Sequence, residues 1–281
     1  MASTKRKVLI TGCSQGGMGA ALALAFHKAG YHVYATARDL NKMTELKSQG
    51  IETLKLDTLS DESIAECVKK VPSLDILINN AGRTFLSPVV DINIAEAKKV
   101  YDINVWSHIA VTQAFVPRIV ESKGIIVNQT SVGASMTLPF QSVYNSSKAA
   151  MAMISDTMRL EFEPFGVRVV ELRTGIVKTN LIKTMQTSTS TTLPDGSIYE
   201  PARERLEQSL RQEQFVSVGM PSEQWAEAIV RDLSKKNPPS LIWRGESSFI
   251  CWLTTLLPHG WSDGFVKKAT GLADVEQILR Q

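Results

Sequence analysis

Cysteine is scarce in this sequence. Cys13, Cys67 and Cys251 are the only three in 281 residues, and they stand far apart. An odd, scattered set argues against a disulfide framework and a four-cysteine zinc site, and free thiols in a reducing, cytoplasmic setting are expected. A dominant charge is missing too. The 31 Lys and Arg against 28 Asp and Glu leave a net +3, and no basic run exceeds Lys5-Arg6-Lys7, so no nucleic-acid partner is expected. Long apolar runs are also lacking. Val8-Leu9-Ile10, which follows the polar start, is too short for a signal-peptide core. The uncharged stretch Ser247 to Ser262 contains Phe249-Ile250-Cys251-Trp252-Leu253 and Leu256-Leu257, but Pro258 and Gly260 interrupt it. A bilayer span needs roughly 20 apolar residues, so a buried or interfacial element is expected there instead. What remains is the composition of a folded globule, 43% hydrophobic and 21% charged, which excludes disorder, collagen and coiled coil for the chain as a whole.

Short apolar runs alternate with longer amphipathic stretches. Strands are expected at Val8–Ile10, Val33–Ala35, Ile51–Leu56, Leu74–Ile78, Ile125–Val127, Val167–Leu172 and Leu241–Trp243. Helices are expected at Met18–Gly30, Asn41–Gln49, Asp61–Lys70, Ile92–Val120 and Tyr144–Phe165. Such alternation predicts an α/β fold, a doubly wound (Rossmann) parallel sheet that binds ligands at the carboxyl ends of its strands. No repeat or long linker divides the chain, so residues 1–281 are read as one domain. The Ser/Thr-rich stretch Thr184–Thr192, the turn Pro194-Asp195-Gly196 and the charged helix Glu200–Gln214 lie within residues 179–222, a candidate mobile lid over the site. Residues 241–281 supply the last strand and an apolar tail.

Thr11-Gly12-Cys13-Ser14-Gln15-Gly16-Gly17-Met18-Gly19 joins the first strand to the first helix. Glycines there permit a tight turn and close approach of a pyrophosphate, and the helix start offers free N–H groups to the same anion. A plain strand-to-helix turn would also carry glycine, so the cluster alone is weak. Thr36-Ala37-Arg38 after the second strand adds weight. An arginine there suits a 2′-phosphate and favours NADP(H) over NAD(H), unless Arg38 is an ordinary surface charge beside Asp39.

Tyr144-Asn145-Ser146-Ser147-Lys148 puts Tyr144 and Lys148 on one helix face. A phenol titrates near pH 10, and a cation one turn away is expected to lower that value, giving a general acid/base. The spacing alone is a common accident. Here Ser131 follows an earlier strand, Asn79-Asn80-Ala81-Gly82 closes another, and Asn104 sits on the helix after it. All fall at the ligand-binding edge expected of a parallel sheet.

In this order and spacing the motifs resemble the short-chain dehydrogenase/reductase superfamily, densely over residues 5–180. The resemblance implies Ser131, Tyr144 and Lys148 as catalytic residues with Asn104 as a fourth. It implies that Gly12, Ser14, Gly17, Met18, Gly19, Arg38, Ala81, Gly82, Tyr144 and Lys148 contact an NADPH/NADP+ cofactor. Asp57 would lie near the adenine, Asn80 near the ribose, and Val177 and Thr179 near the nicotinamide amide. The chain departs from the family pattern twice. Gly16-Gly17-Met18-Gly19 holds one extra residue, which leaves Gly16 and Gly17 as alternatives for the middle glycine. A similar ending is found in members resembling 1-acyldihydroxyacetone-phosphate reductases and some steroid 17β-reductases. Thr174-Gly175 replaces the family's proline-glycine, and the backbone beside the nicotinamide is expected to be looser for it.

The expected activity is NADPH-dependent reduction of a ketone on a lipophilic substrate, with Ser131 polarising the carbonyl, Tyr144 protonating the alkoxide and Asn104 ordering a water. The apolar loop Met136-Thr137-Leu138-Pro139-Phe140 and the lid residues Leu181, Ile182, Met185 and Tyr199 suit an apolar substrate, and Lys178 and Lys183 an anionic headgroup. An acyl-dihydroxyacetone phosphate and a secondary-metabolite ketone remain alternatives. A catalytically idle NADP(H)-binding sensor or scaffold is the alternative from another class. The resemblance implies a homodimer or homotetramer, and the apolar tail suggests peripheral contact with a membrane or lipid droplet. No metal is expected.

Overall fold

The computed structural model of the chain describes residues 5–180 and 191–281. Its centre is a parallel sheet built from the alternating apolar runs. The strands are β1 (Lys7–Ile10), β2 (His32–Ala37), β3 (Glu52–Lys55), β4 (Ile76–Asn79), β5 (Ile125–Gln129), β6 (Arg168–Thr174) and, after the short pair β7 (Val177–Lys178) and β8 (Met220–Pro221), β9 (Leu241–Arg244). The seven long strands lie in the order β3-β2-β1-β4-β5-β6-β9, all parallel, while β7 and β8 form a separate parallel pair. Ile10 is flanked by Ala35 on one side and Ile78 on the other, so winding reverses between β1 and β4. That reversal leaves a crevice at their carboxyl ends.

Successive strand residues face opposite sides, and each side has its own core. Val8, Ile10, Ile76, Ile78, Val127 and Leu172 pack under α1 (Met18–Lys28) and a late helix, Ser222–Leu233. Leu9, Leu77, Ile126 and Val169 pack under α3 (Asp61–Lys70), α5 (Ser107–Ser122) and α6 (Ser142–Phe162). The buried residues of α1 combine small Gly19, Ala20, Ala21, Ala23 and Ala25 with the fully buried Leu22 and Phe26, in the same core as the late helix and its fully buried Trp225. Between α1 and α3 runs α2 (Thr44–Ser48), after a 3-10 turn at Leu40–Met43.

The single helix expected over Ile92–Val120 is interrupted. It runs as α4 (Ile94–Tyr101), a π turn at Asp102–Trp106, and then α5. A π turn holds one extra residue per turn and often marks a functional position. Here it carries the fully buried Asn104.

The lid expectation falls only in part on the described residues. Leu181, Ile182, Lys183 and Met185, and most of Thr184–Thr192, lie outside the described residues. The described remainder is tied down. Helix α7 (Arg203–Arg211) buries Leu206 and Leu210 against Leu86 and against Val275 of the last helix, Leu272–Leu279, with Phe140 and Tyr199 at the edge. Arg205 pairs with Asp274 at 2.6 Å. After α8 (the Ser222–Leu233 helix) and β9, the tail folds as α9 (Ser248–Thr254), α10 (Asp263–Thr270) and α11 (Leu272–Leu279). Among the described residues no helix is long and apolar enough to cross a membrane. Phe249, Ile250, Leu256, Trp261 and Phe265 are each more than half exposed.

Candidate active site

The glycine turn and the end of β4 are stitched together across the crevice. Thr11 Oγ1 accepts the backbone N–H groups of Asn80 and Ala81, both at 2.9 Å, and Asn80 Nδ2 donates to Thr11 O at 2.7 Å. Gly12 has φ +75°, and a Cβ on it would lie 2.9 Å from Ala81 Cα. A Cβ on Gly19 would lie 2.5 Å from Gly12 O. The two alternatives for the middle glycine divide the work. Gly16 takes the left-handed conformation (φ +75°) against the Asn180 side chain, and Gly17, at φ −97°, caps the start of α1 and faces the cleft. The extra residue is absorbed in the turn. The first turn of α1 carries no acidic side chain, which leaves its N–H groups free to meet an anion.

A cleft of about 310 Å³ opens here. Gly12, Ser14, Gly17, Met18, Arg38, Asp57, Asn80, Ala81, Gly82, Tyr144, Lys148 and Thr179 line it. Four expected residues stand outside its wall. Gly19 is buried behind the turn, Asn104 behind Gly82, Ser131 lies beyond Tyr144, and the Val177 side chain packs on the core under α1. At the Arg38 end the arginine is exposed, and the neighbouring acid is engaged elsewhere, since Asp39 caps the Leu40–Met43 turn by accepting Asn41 N at 3.0 Å. Lys42 lines the same end, and its carbonyl accepts Gln15 N at 2.8 Å. Sequence reasoning missed Lys42, although it is the next cation after Arg38.

At the other end stand Tyr144 and Lys148, one turn apart on α6. Lys148 Nζ donates to Gln129 O at 2.9 Å and lies 5.9 Å from the Tyr144 ring centre. Burial lowers the Lys148 pKa to about 8. Tyr144 runs against expectation. Its hydroxyl is pushed above the ordinary phenol value, because burial outweighs a hydrogen bond with the Ser131 side chain that works the other way. Desolvation penalises the phenolate, and the serine hydrogen bond only partly offsets it. Ser131 itself is held by accepting Gly133 N at 3.1 Å, at the head of a short turn.

Asn104 is fully engaged through its side-chain amide. Nδ2 donates to Arg83 O and Ser147 Oγ, both at 2.9 Å, and Oδ1 accepts Arg83 N at 2.9 Å. It thereby ties the end of β4 to α6. Sequence reasoning missed His108, a buried histidine in the first turn of α5. Its Nε2 bonds Ala81 O at 2.8 Å, and burial together with the Lys148 charge lowers its pKa to about 3, so it is neutral. The loosening expected at Thr174-Gly175 is also corrected. Thr174 is buried and its hydroxyl accepts Gln129 Nε2 at 2.6 Å, while Gly175 N donates to Arg244 O at 2.8 Å. Side-chain and strand-edge hydrogen bonds hold the position that proline's ring would stiffen. Among the described residues no cluster of His, Cys, Asp and Glu suits a metal ion.

Comparison with known proteins gives a consistent result. A short chain dehydrogenase family model matches residues 6–190. A short-chain dehydrogenase/reductase of Pestalotiopsis microspora is 52% identical over 280 residues, covering 100% of this chain and 99% of the relative. The NADPH-dependent 1-acyldihydroxyacetone phosphate reductase of Schizosaccharomyces pombe is 38% identical over 268 residues, covering 89% of each. Among solved structures, a short-chain dehydrogenase of Streptomyces avermitilis superposes with a TM-score of 0.77 at 25% identity, covering 98% of both chains.

Proposed function

The chain belongs to the short-chain dehydrogenase family, and from that premise we propose that it is an NADPH-dependent oxidoreductase reducing the ketone of a lipophilic substrate to a secondary alcohol. One observation carries the reading. A single cleft joins a glycine cradle and Arg38 at one end to Tyr144 and Lys148 at the other, with Ser131 hydrogen-bonded to Tyr144. The residues present fit the cofactor. Gly12 and Gly19 let the turn close tightly, since a Cβ on either would meet Ala81 Cα or Gly12 O under 3 Å away, the helix start suits a pyrophosphate, and Arg38 and Lys42 suit a 2′-phosphate. When bound, the reduced nicotinamide supplies the hydride. The S. pombe relative's name specifies NADPH, which supports the same choice.

The chain's own residues then handle the oxygen and its proton. The Ser131 hydroxyl donates to the substrate carbonyl oxygen and stabilises negative charge as it develops there. Tyr144 gives its hydroxyl proton to that oxygen. A pKa raised by burial keeps the phenol protonated at neutral pH, as a general acid must be. The Lys148 ammonium, fixed by Gln129 O, stabilises the phenolate left behind and meets the ribose hydroxyls of the cofactor. Both Asn104 side-chain hydrogens already have protein partners, so any water it orders for proton resupply would be held through an oxygen. Asp57 and Asn80 serve the adenosine side of the cleft, and Thr179 the nicotinamide side.

Because burial brings the Lys148 pKa to about 8, turnover is expected to fall as pH rises through that value and the ammonium is lost. Lys148→Arg cannot deprotonate in this range, so any activity it retains should lack that limb of the kcat/KM profile. An unshifted limb in the variant would reassign it.

The substrate class is tested by following NADPH absorbance across a ketone panel that includes 1-acyl-dihydroxyacetone phosphates and polycyclic ketones. Turnover of one lipophilic class supports the reading, and turnover of small polar ketones alone overturns it. The relative acting on 1-acyldihydroxyacetone phosphate favours the first class of ketone. The exposed apolar side chains of α9 and the turn after it further suggest contact with a membrane face. Wild-type protein should sediment with phosphatidylcholine vesicles and Trp261→Glu should not; wild type left in the supernatant would remove the membrane contact.

A further inference from the structure

The turn after β6 connects the sheet to the nicotinamide end of the cleft, and a threonine occupies the position expected to be proline. What holds this turn comes from two directions. On the β9 side, Gly175 N donates to Arg244 O at 2.8 Å, and Ile176 and Glu246 exchange backbone hydrogen bonds at 3.0 Å. A Cβ on Gly175 would lie 2.2 Å from Glu246 O, so the approach is as close as a backbone allows. On the β5 side the tie is a side chain. Gln129 Nε2 donates to Thr174 Oγ1 at 2.6 Å and to Thr130 O at 3.2 Å. The main-chain carbonyl of the same Gln129 accepts Lys148 Nζ at 2.9 Å.

Gln129, Thr174 and Lys148 are 2%, 5% and 4% exposed, so water does not compete for these bonds. Gln129 lines the cleft, yet its Oε1 is buried and has no partner. An apolar side chain would fill the same core space without leaving an acceptor unsatisfied. The amide is therefore poorly explained as filler and well explained by the bonds its nitrogen makes.

We propose that Gln129 and Thr174 act as one positioning unit, in which the Gln129 carboxamide ties the turn after β6 to the strand end whose carbonyl anchors Lys148. Lysine and turn then keep a fixed separation, a constraint that proline's locked φ would supply only locally. Neither residue is catalytic. Each acts through Lys148 and through the backbone of residues 174–178. The consequence for the nicotinamide rests on the proposed function, whereas the tether does not.

The experiment compares wild type with Gln129→Leu, Thr174→Val, their double variant and Thr174→Ser. In the cofactor-free protein, hydrogen exchange of the Gly175 and Ile176 amides should quicken by about tenfold in each of the first two. The double variant should exchange no faster than either single, because both remove the same bond. Thr174→Ser keeps the acceptor oxygen and should stay at the wild-type rate. With NADPH added, the emission of the bound nicotinamide should fall in the loosened variants, while affinity for 2′,5′-ADP, which lacks the nicotinamide half, should be unchanged. The alkaline limb of the pH profile should shift in Gln129→Leu and remain in place in Thr174→Ser.

Unchanged exchange in Gln129→Leu, or single effects that multiply in the double variant, would overturn the proposal. If Gln129→Leu quickens exchange over the whole sheet, Gln129→Met and Thr174→Ser carry the test, and an undisturbed turn in Gln129→Met likewise overturns it. Wild type that binds neither NADPH nor 2′,5′-ADP would defeat the functional reading, and amide exchange would still decide the tether.

Discussion

Tyr144→Phe should lower kcat by about 10²–10⁴-fold, the range set by removing one positioned proton donor, with NADPH affinity nearly unchanged. The substitution deletes one oxygen. The ring, its packing and the neighbouring lysine remain, and Lys148 keeps its bond to Gln129 O. Ser131 keeps the backbone N–H of Gly133 as a partner, so the serine is not released into the cleft. The loss therefore falls on proton transfer to the developing alkoxide and not on assembly of the site. Single-turnover oxidation of NADPH measures the first effect, and fluorescence titration of NADPH the second. Retention of wild-type kcat would remove Tyr144 from the chemistry. If the chain were an idle NADP(H) sensor, no ketone would be turned over by the wild type, and the variant would leave its binding behaviour intact.

Arg38→Asp should reverse the cofactor preference, with kcat/KM for NADPH falling by about 10²-fold and that for NADH rising. A 2′-phosphate carries close to two negative charges at neutral pH. The wild-type guanidinium meets it with a planar pair of donors, whereas an aspartate repels it and accepts from the ribose hydroxyl of NADH. Arg38 is exposed, which sets the scale: the interaction is screened, and the discrimination should shrink in about 1 M salt, where the Debye length is near 3 Å. Lys42 limits the loss, because a second cation remains at that end of the cleft. Steady-state kinetics with both cofactors at low and high salt check all three statements. An unchanged NADPH preference in the variant would remove Arg38 from the 2′-phosphate site.

Much of the site was legible because its motifs are local. The glycine turn lies between one strand and one helix, Asn79-Asn80-Ala81-Gly82 ends a strand, and Tyr144 and Lys148 share a helix face. Short-range spacing determines such features, and a parallel sheet gathers them at one edge. Asp39 shows the limit. From sequence it stood as a rival charge beside Arg38, and the fold disposes of it as the cap of a turn. Gly16 and Gly17 could not be separated because the difference lies in Asn180, which returns from far along the chain and occupies the space beside Gly16. Asp102–Trp106 contains no glycine or proline to mark the π turn, so Ile92–Val120 reads as one helix from sequence.

By itself the sequence determined the doubly wound sheet, the order of its strands along the chain and the chemical identity of the groups at its carboxyl edge. Periodicity and turn residues encode these within a few neighbours. The tertiary structure alone decided the state of those groups. Burial raised the Tyr144 pKa and lowered that of Lys148, and it held His108 neutral. Gln129 reached Thr174 from the neighbouring strand, and Asp274 in the last helix reached Arg205 in the expected lid. Each of these depends on desolvation or on a partner remote in sequence, and neither exists until the chain has folded.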